Sequence, residues 1–85
     1  MRYGGDMARR WSEAEWDELF GAYPPSDGHK PDHAACDDLG RRFERTRWGI
    51  LWMWLDAEAY LRGARSFASQ RLIDHLARRG LRPSS

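Results

Sequence analysis

The sequence predicts an all-α fold: three helices forming a core, with a fourth helix added at the C-terminal end. Three observations lead there. Every regular segment places its apolar residues three and four apart, and none alternates with a period of two. The first three segments are each preceded by a residue that favours helix N-termini, namely Ser12, Asp32 and Thr46. Helix stops separate them: Pro24-Pro25, Gly63 and Gly80.

The first helix opens with a capping box, Ser12-x-x-Glu15. The Ser12 oxygen accepts the Glu15 amide proton, and the Glu15 carboxylate returns to accept the Ser12 amide proton. Trp16, Leu19, Phe20 and Tyr23 then fall on one face. Pro24-Pro25 ends the helix, because neither can donate and the first disfavours helix in the residue before it. Residues 24–31 read as a loop. Asp32 caps a second helix of about three turns, whose buried stripe is Ala35, Cys36, Leu39 and Phe43. Arg41 and Arg42 sit in its last turn, where cations favour the helix dipole.

A tight turn at Phe43-Glu44-Arg45 leads to Thr46, which caps a third helix running from Arg47 to Leu61 or Arg62. Ile50, Met53, Trp54, Ala57 and Leu61 form one stripe; Trp48, Leu51, Trp52 and Leu55 form a second. A helix apolar on two faces either lies centrally or carries a partner surface. Gly63 ends it. The fourth helix is expected from about Ser66 to Arg79, with Phe67, Leu72, Ile73 and Leu76 on its apolar side. The chain thus divides into an arm over 1–10, a helix-turn-helix core over 11–62, a C-terminal helical segment over 63–81 and a tail over 82–85.

With 85 residues there is room for one domain, set against ~150 residues per domain. Such a chain buries only ~60% of its unfolded surface, so each large apolar side chain matters. Fourteen basic and 13 acidic residues exclude a histone-like polycation, and 41% hydrophobic content with five Trp excludes a disordered acidic tail. A single Cys excludes a disulfide scaffold and a Cys₄ zinc ribbon. No run reaches the ~18 apolar residues of a membrane span, and the N-terminal stretch lacks the apolar core of a signal peptide. A soluble, cytoplasmic protein is expected. No nucleophile elbow, phosphate-binding Gly loop or isolated carboxylate pair is present, which points away from an enzyme and implies no cofactor. His29, His33, Cys36 and Asp37 have the composition of a zinc set. But Cys36 falls in the apolar stripe, so the expectation is a buried structural Cys with two surface His, and no metal.

The near-neutral total hides a division. Residues 1–40 carry four basic groups against nine acidic ones, whereas residues 41–85 carry ten Arg against four acids. Either the basic half meets a polyanion, or the two halves attract each other within the fold. Thirteen of the 14 cations are Arg, whose planar fork suits phosphate and base edges.

The second and third helices are joined by about three residues, the spacing of a helix-turn-helix. Around that turn the chain resembles the Myb/SANT family of three-helix DNA-binding domains. The family's opening Trp-Ser/Thr-x-x-Glu is Trp11-Ser12-Glu13-Ala14-Glu15 here. Its Arg-Thr turn, the aliphatic residue four on and the Trp four beyond are Arg45-Thr46, Ile50 and Trp54. The resemblance covers about residues 11–60. The chain departs from the family in Trp16, in a long Pro-containing first loop, in Leu39 and Phe43 replacing a second-helix Trp, and in an apolar recognition helix.

The resemblance implies that Trp11 and Trp54 are core and that Glu15 and Arg45 form a salt bridge. It implies that the third helix enters the major groove with its N-terminal side chains. The expected function is therefore double-stranded DNA binding by a small transcriptional or phage/host regulator, as a dimer or in a larger complex. Arg47 is the candidate for a bidentate guanine contact. Arg9, Arg10, Arg41 and Arg42 are candidate phosphate clamps, with Trp48 and Leu51 beside the bases. Trp48, Leu51 and Trp52 leave three readings open: cover by the fourth helix, direct DNA contact, or a partner or self-association surface that also includes Leu55. That last reading defines the alternative function, a protein-interaction module.

Overall fold

The computed structural model describes residues 10–83; residues 1–9 of the N-terminal arm, Arg9 among them, and the last two residues of the tail lie outside them. Four α-helices and one 3-10 turn account for the regular structure, with no strand among the described residues. Helix α1 spans Glu13–Ala22, α2 His33–Phe43, α3 Arg47–Arg62 and α4 Gln70–Arg78. The loop after α1 holds the 3-10 turn, Pro25–Asp27.

The local signals act as the sequence requires. Ser12 Oγ accepts the Glu15 amide at 3.1 Å, and the Ser12 amide donates to Glu15 Oε1 at 2.8 Å. Asp32 accepts from the Ala35 amide and Thr46 from the Gly49 amide. Gly63 closes α3 in the left-handed conformation at φ 81°. Each cap satisfies amides that the helix leaves unpaired.

Three helices and Trp11 build the core, and α4 closes it. Trp16, Leu19 and Phe20 of α1 meet Cys36, Leu39 and Phe43 of α2 and Ile50, Trp54, Ala57 and Leu61 of α3; Leu72 and Leu76 of α4 join them. Fully burying one such side chain stabilises the fold by about 1.5–3 kcal/mol. Trp11 sets its ring edge-on to Phe43, with centroids 5.9 Å apart. Buried Trp54 donates from Nε1 to the Tyr23 carbonyl at 2.8 Å, so its polar atom is satisfied and α3 is tied to the end of α1.

The turn between α2 and α3 is three residues long, with Glu44 left-handed at φ 59°. The amides of Glu44 and Arg45 both converge on the Gly40 carbonyl, the latter at 2.8 Å. The chain folds back so closely that a Cβ on Gly40 would lie 2.6 Å from the Arg45 carbonyl oxygen. Only glycine fits without a shift there.

Helix α4 begins later than the sequence suggests. It starts at Gln70, with Ser69 accepting from the Leu72 amide, and not at Ser66. Ser66 is held elsewhere: its hydroxyl donates to the Asp56 carbonyl at 2.9 Å and accepts from the Ala68 amide. The Phe67 amide donates to the Asp56 carboxylate. These bonds lash residues 66–68 to α3. Phe67 therefore lies outside α4 and is 87% exposed, not part of its apolar side.

Candidate functional site

Helix α3 carries Arg47, Trp48, Leu51, Trp52 and Leu55, while Arg41 and Arg42 lie on α2 and Arg10 before α1; the structure divides these groups by chemistry. The arginines of α2, the turn and α3 are engaged within the fold. Arg47 grips Asp37 of α2 with two parallel bonds, Nε to Oδ1 at 2.8 Å and Nη2 to Oδ2 at 2.5 Å. That bidentate pair holds the Asp37 carboxyl below its ordinary range and pushes the Arg47 guanidinium higher still. Arg42 pairs with Glu18 of α1 and, at 3.4 Å, with Asp38. Arg41 lies 3.8 Å from Asp38. Asp37 and Asp38 are thus not a merely solvated acidic face, as their position on the helix suggests. Arg10 is exposed, and its carbonyl accepts from Arg45.

Arg45 itself is buried, its side chain only 2% exposed. Nε and Nη2 meet the two Glu15 oxygens at 3.2 and 3.1 Å, and the guanidinium lies 4.5 Å from the centroid of the Trp11 ring. The capping-box carboxylate therefore serves twice, closing α1 and holding the α2–α3 turn. A group so enclosed is not available to a base edge.

Two of the apolar residues stand open, and the two leucines pack partly against the core. Trp48 is 52% exposed and Trp52 62%, while Leu51 and Leu55 are half-buried. Helix α4 does not cover them. It packs on the core side of α3 and reaches α1, where His75 packs on Trp16 and Phe20. His75 Nδ1 sits 2.6 Å from Glu13 Oε1, and Nε2 sits 3.3 Å from Asp17 Oδ1. Arg78 and Arg79 reach the same two carboxylates, each at 2.9 Å. This latch is not legible in the sequence because its partners, from Asp17–His75 to Glu13–Arg78, are 58 to 65 residues apart. The stretch Glu13-x-x-x-Asp17 facing His75-x-x-Arg78-Arg79 is its signal once the two helices are known to be neighbours.

The Trp48 ring is not loose. His33 at the start of α2 approaches it edge-on at 5.7 Å, and Arg47 lies 5.8 Å over its face. Next to it, Lys30, Pro31, Asp32, His33, Ala34 and Leu51 line an open cavity of about 490 Å³. Cys36 lies beneath, fully buried, its Sγ 3.9 Å from the Pro31 carbonyl. Burial raises its thiol pKa, which makes it a weak nucleophile and a poor ligand. Among the described residues, no group of three His, Cys, Asp or Glu side chains is placed to hold a metal ion, and no helix is long and apolar enough to cross a membrane.

No protein-family model, curated protein sequence or solved structure matches the chain.

Proposed function

We propose that this chain is a protein-interaction module that binds a partner on the outward face of α3. The observation that carries the reading is the exposure of Trp48 and Trp52 on a helix whose opposite face is already core. With Leu51 and Leu55 they stand at i, i+3, i+4 and i+7, the spacing of a helix-docking seam. Trp is enriched among the residues that dominate binding energy, because its large ring loses little freedom on contact.

Duplex DNA is the second reading, supported by the three-residue turn between α2 and α3. It receives less support from the side chains. Arg47, the best placed base reader, is held bidentately by Asp37, and Arg42 is engaged by Glu18 and Asp38.

A photocrosslinker at position 52, in cells expressing the chain, distinguishes the two. The expected result is a discrete protein adduct that is lost with Trp48→Ser and absent when the crosslinker sits at exposed Asp74. A DNA adduct, together with duplex affinity that falls with salt at a log–log slope of about −3 to −5, would replace the proposal with the DNA reading.

A further inference from the structure

We infer that the cleft where the start of α4 meets Trp11 and Trp16 is a binding site for a small carboxylate with an aromatic body. The inference does not rest on the α3 face. A cavity of about 400 Å³ opens there, a volume within the range of small-ligand sites. Trp11, Trp16 and Met53 are its apolar wall; Arg10, Ser69, Gln70 and Arg71 are its polar wall. The indole of Trp16 is the first sign of a missing ligand. Trp16 is 1% exposed, yet its Nε1 has no acceptor among the described residues, whereas Trp54 gives its Nε1 to the Tyr23 carbonyl. A buried Trp N–H ordinarily has a partner. The Arg71 guanidinium lies 4.9 Å over the Trp16 ring. A carboxylate on that guanidinium brings an acceptor to the indole that lacks one.

Charge sets the sign of the ligand. Arg10, Lys30, Arg65, Arg71 and Arg82 have no carboxylate partner among the described residues. Lys30 lines its cavity beside Asp32, and Arg82 lines its own beside Asp27 and Glu58. Arg71 and Arg10 share a wall that contains no acid. Arg10 also borders a second cleft with Glu15 and Glu44, so Arg71 is the principal cation here. Helix α4 adds to it. Ser69 takes the Leu72 amide, but the Gln70 and Arg71 amides have no intrahelical acceptor, and the positive end of the helix dipole lies at the same place. Asp74, one turn along, is occupied by Gln70 Nε2 at 2.9 Å. The planar guanidinium fork matches a carboxylate. The opposite wall sets the rest of the ligand. Two indoles and a thioether favour an aromatic ring, through stacked or edge-on contacts and through sulfur. A bare inorganic anion leaves that wall facing water.

The test is an NMR titration of the full chain with four probes: 3-phenylpropionate, its neutral amide, propionate and inorganic phosphate. The assigned indole N–H of Trp16 and the amides of Gln70 and Arg71 are the readout. 3-Phenylpropionate should shift all three saturably, with a dissociation constant on the order of 1 mM, as suits so few ligand atoms. The amide, propionate and phosphate should each bind at least about threefold more weakly, since each lacks the charge or the ring. Arg71→Gln should weaken 3-phenylpropionate by about three- to tenfold and leave the amide unchanged. Equal binding of the amide, or an unchanged affinity in Arg71→Gln, overturns the carboxylate assignment. Equal binding of propionate or phosphate overturns the aromatic one. A Trp16 indole that does not move, or shifts confined to the Trp48 and Trp52 indoles, overturns the site itself.

Discussion

Gly40 and Gly21 provide a matched test of how the helix-turn-helix corner is made. Both lie in the last turn of a helix, and in both Ala raises helix propensity by about 0.5–1 kcal/mol. A Cβ on Gly21 meets nothing within 4 Å. A Cβ on Gly40 meets the Arg45 carbonyl oxygen at 2.6 Å, and that oxygen belongs to a backbone fixed by the Gly40–Arg45 hydrogen bond and the Thr46 cap. Overpacking of this kind costs about 1–3 kcal/mol. Gly21→Ala should therefore stabilise slightly, whereas Gly40→Ala should be neutral to clearly destabilising. The propensity gain cancels between the two, so their difference isolates the clash at about 1–3 kcal/mol. In a domain this small each kcal/mol moves the midpoint by about 4–8 °C. Thermal melts followed by circular dichroism, backed by urea titration, should place Gly40→Ala at least ~4 °C below Gly21→Ala. If Gly40→Ala melts with or above Gly21→Ala, the close approach at the corner is not what Gly40 provides.

The remaining predictions concern the core, the latch and the open face. Trp54→Ala and Trp11→Ala should each destabilise by about 3–5 kcal/mol in urea titrations, as truncations of buried aromatics do. Arg45→Ala should cost about 3–5 kcal/mol, since it strands the Glu15 carboxylate in a nearly closed site. Measured unfolding within 1 kcal/mol of the parent would contradict the buried pair. Glu13 is held below the ordinary carboxylate range first by the His75 hydrogen bond and then by Arg78. A depressed folded value stabilises above the unfolded pKa and is lost as pH falls through the folded one. Glu13→Gln should thus lower the melting midpoint at neutral pH and converge on the parent in acid; a constant offset across that range would refute the linkage. Trp52→Ser should leave the midpoint nearly unchanged, within about 0.5 kcal/mol, which makes it a clean binding variant.

What the sequence reveals and what it hides follow from the range of the interactions. The starts of α1, α2 and α3 were legible because Ser12, Asp32 and Thr46 bond only three residues ahead. The Arg45–Glu15 pair spans 30 residues and was reached through a family resemblance. The start of α4 was misplaced because Ser66 and Ser69 are equally good caps in isolation. Asp56, ten residues back on α3, decides between them by engaging Ser66 and Phe67. The partner of Arg47 was hidden for a similar reason. Asp37 precedes it by ten residues, and only the corner at Gly40 brings the two together. The second stripe on α3 is plain in the sequence, but which side of α3 meets α4 depends on long-range contacts, Leu72 and Leu76 with the core and His75 with α1.

Six arginines of the basic half are met by acids of the other half within the fold. Arg41, Arg42, Arg45, Arg47, Arg78 and Arg79 all meet acids from the first 40 residues. For α3 to read a base pair, Arg47 would have to exchange one bidentate carboxylate for one bidentate guanine, a near-even trade in hydrogen bonds. The trade then leaves Asp37 uncompensated and facing a phosphate backbone, and the same holds for Asp38 and Glu18 if Arg42 turns outward. Each released carboxylate repels the ligand that released it. Docking an apolar helix on Trp48 and Trp52 requires no such exchange. The ion pairs stay made, the rings lose only water, and the pinning of Trp48 by His33 and Arg47 means part of its ordering cost is met before any partner arrives. The pairs that weaken a nucleic-acid site are the same ones that hold α3 in place to present its second face.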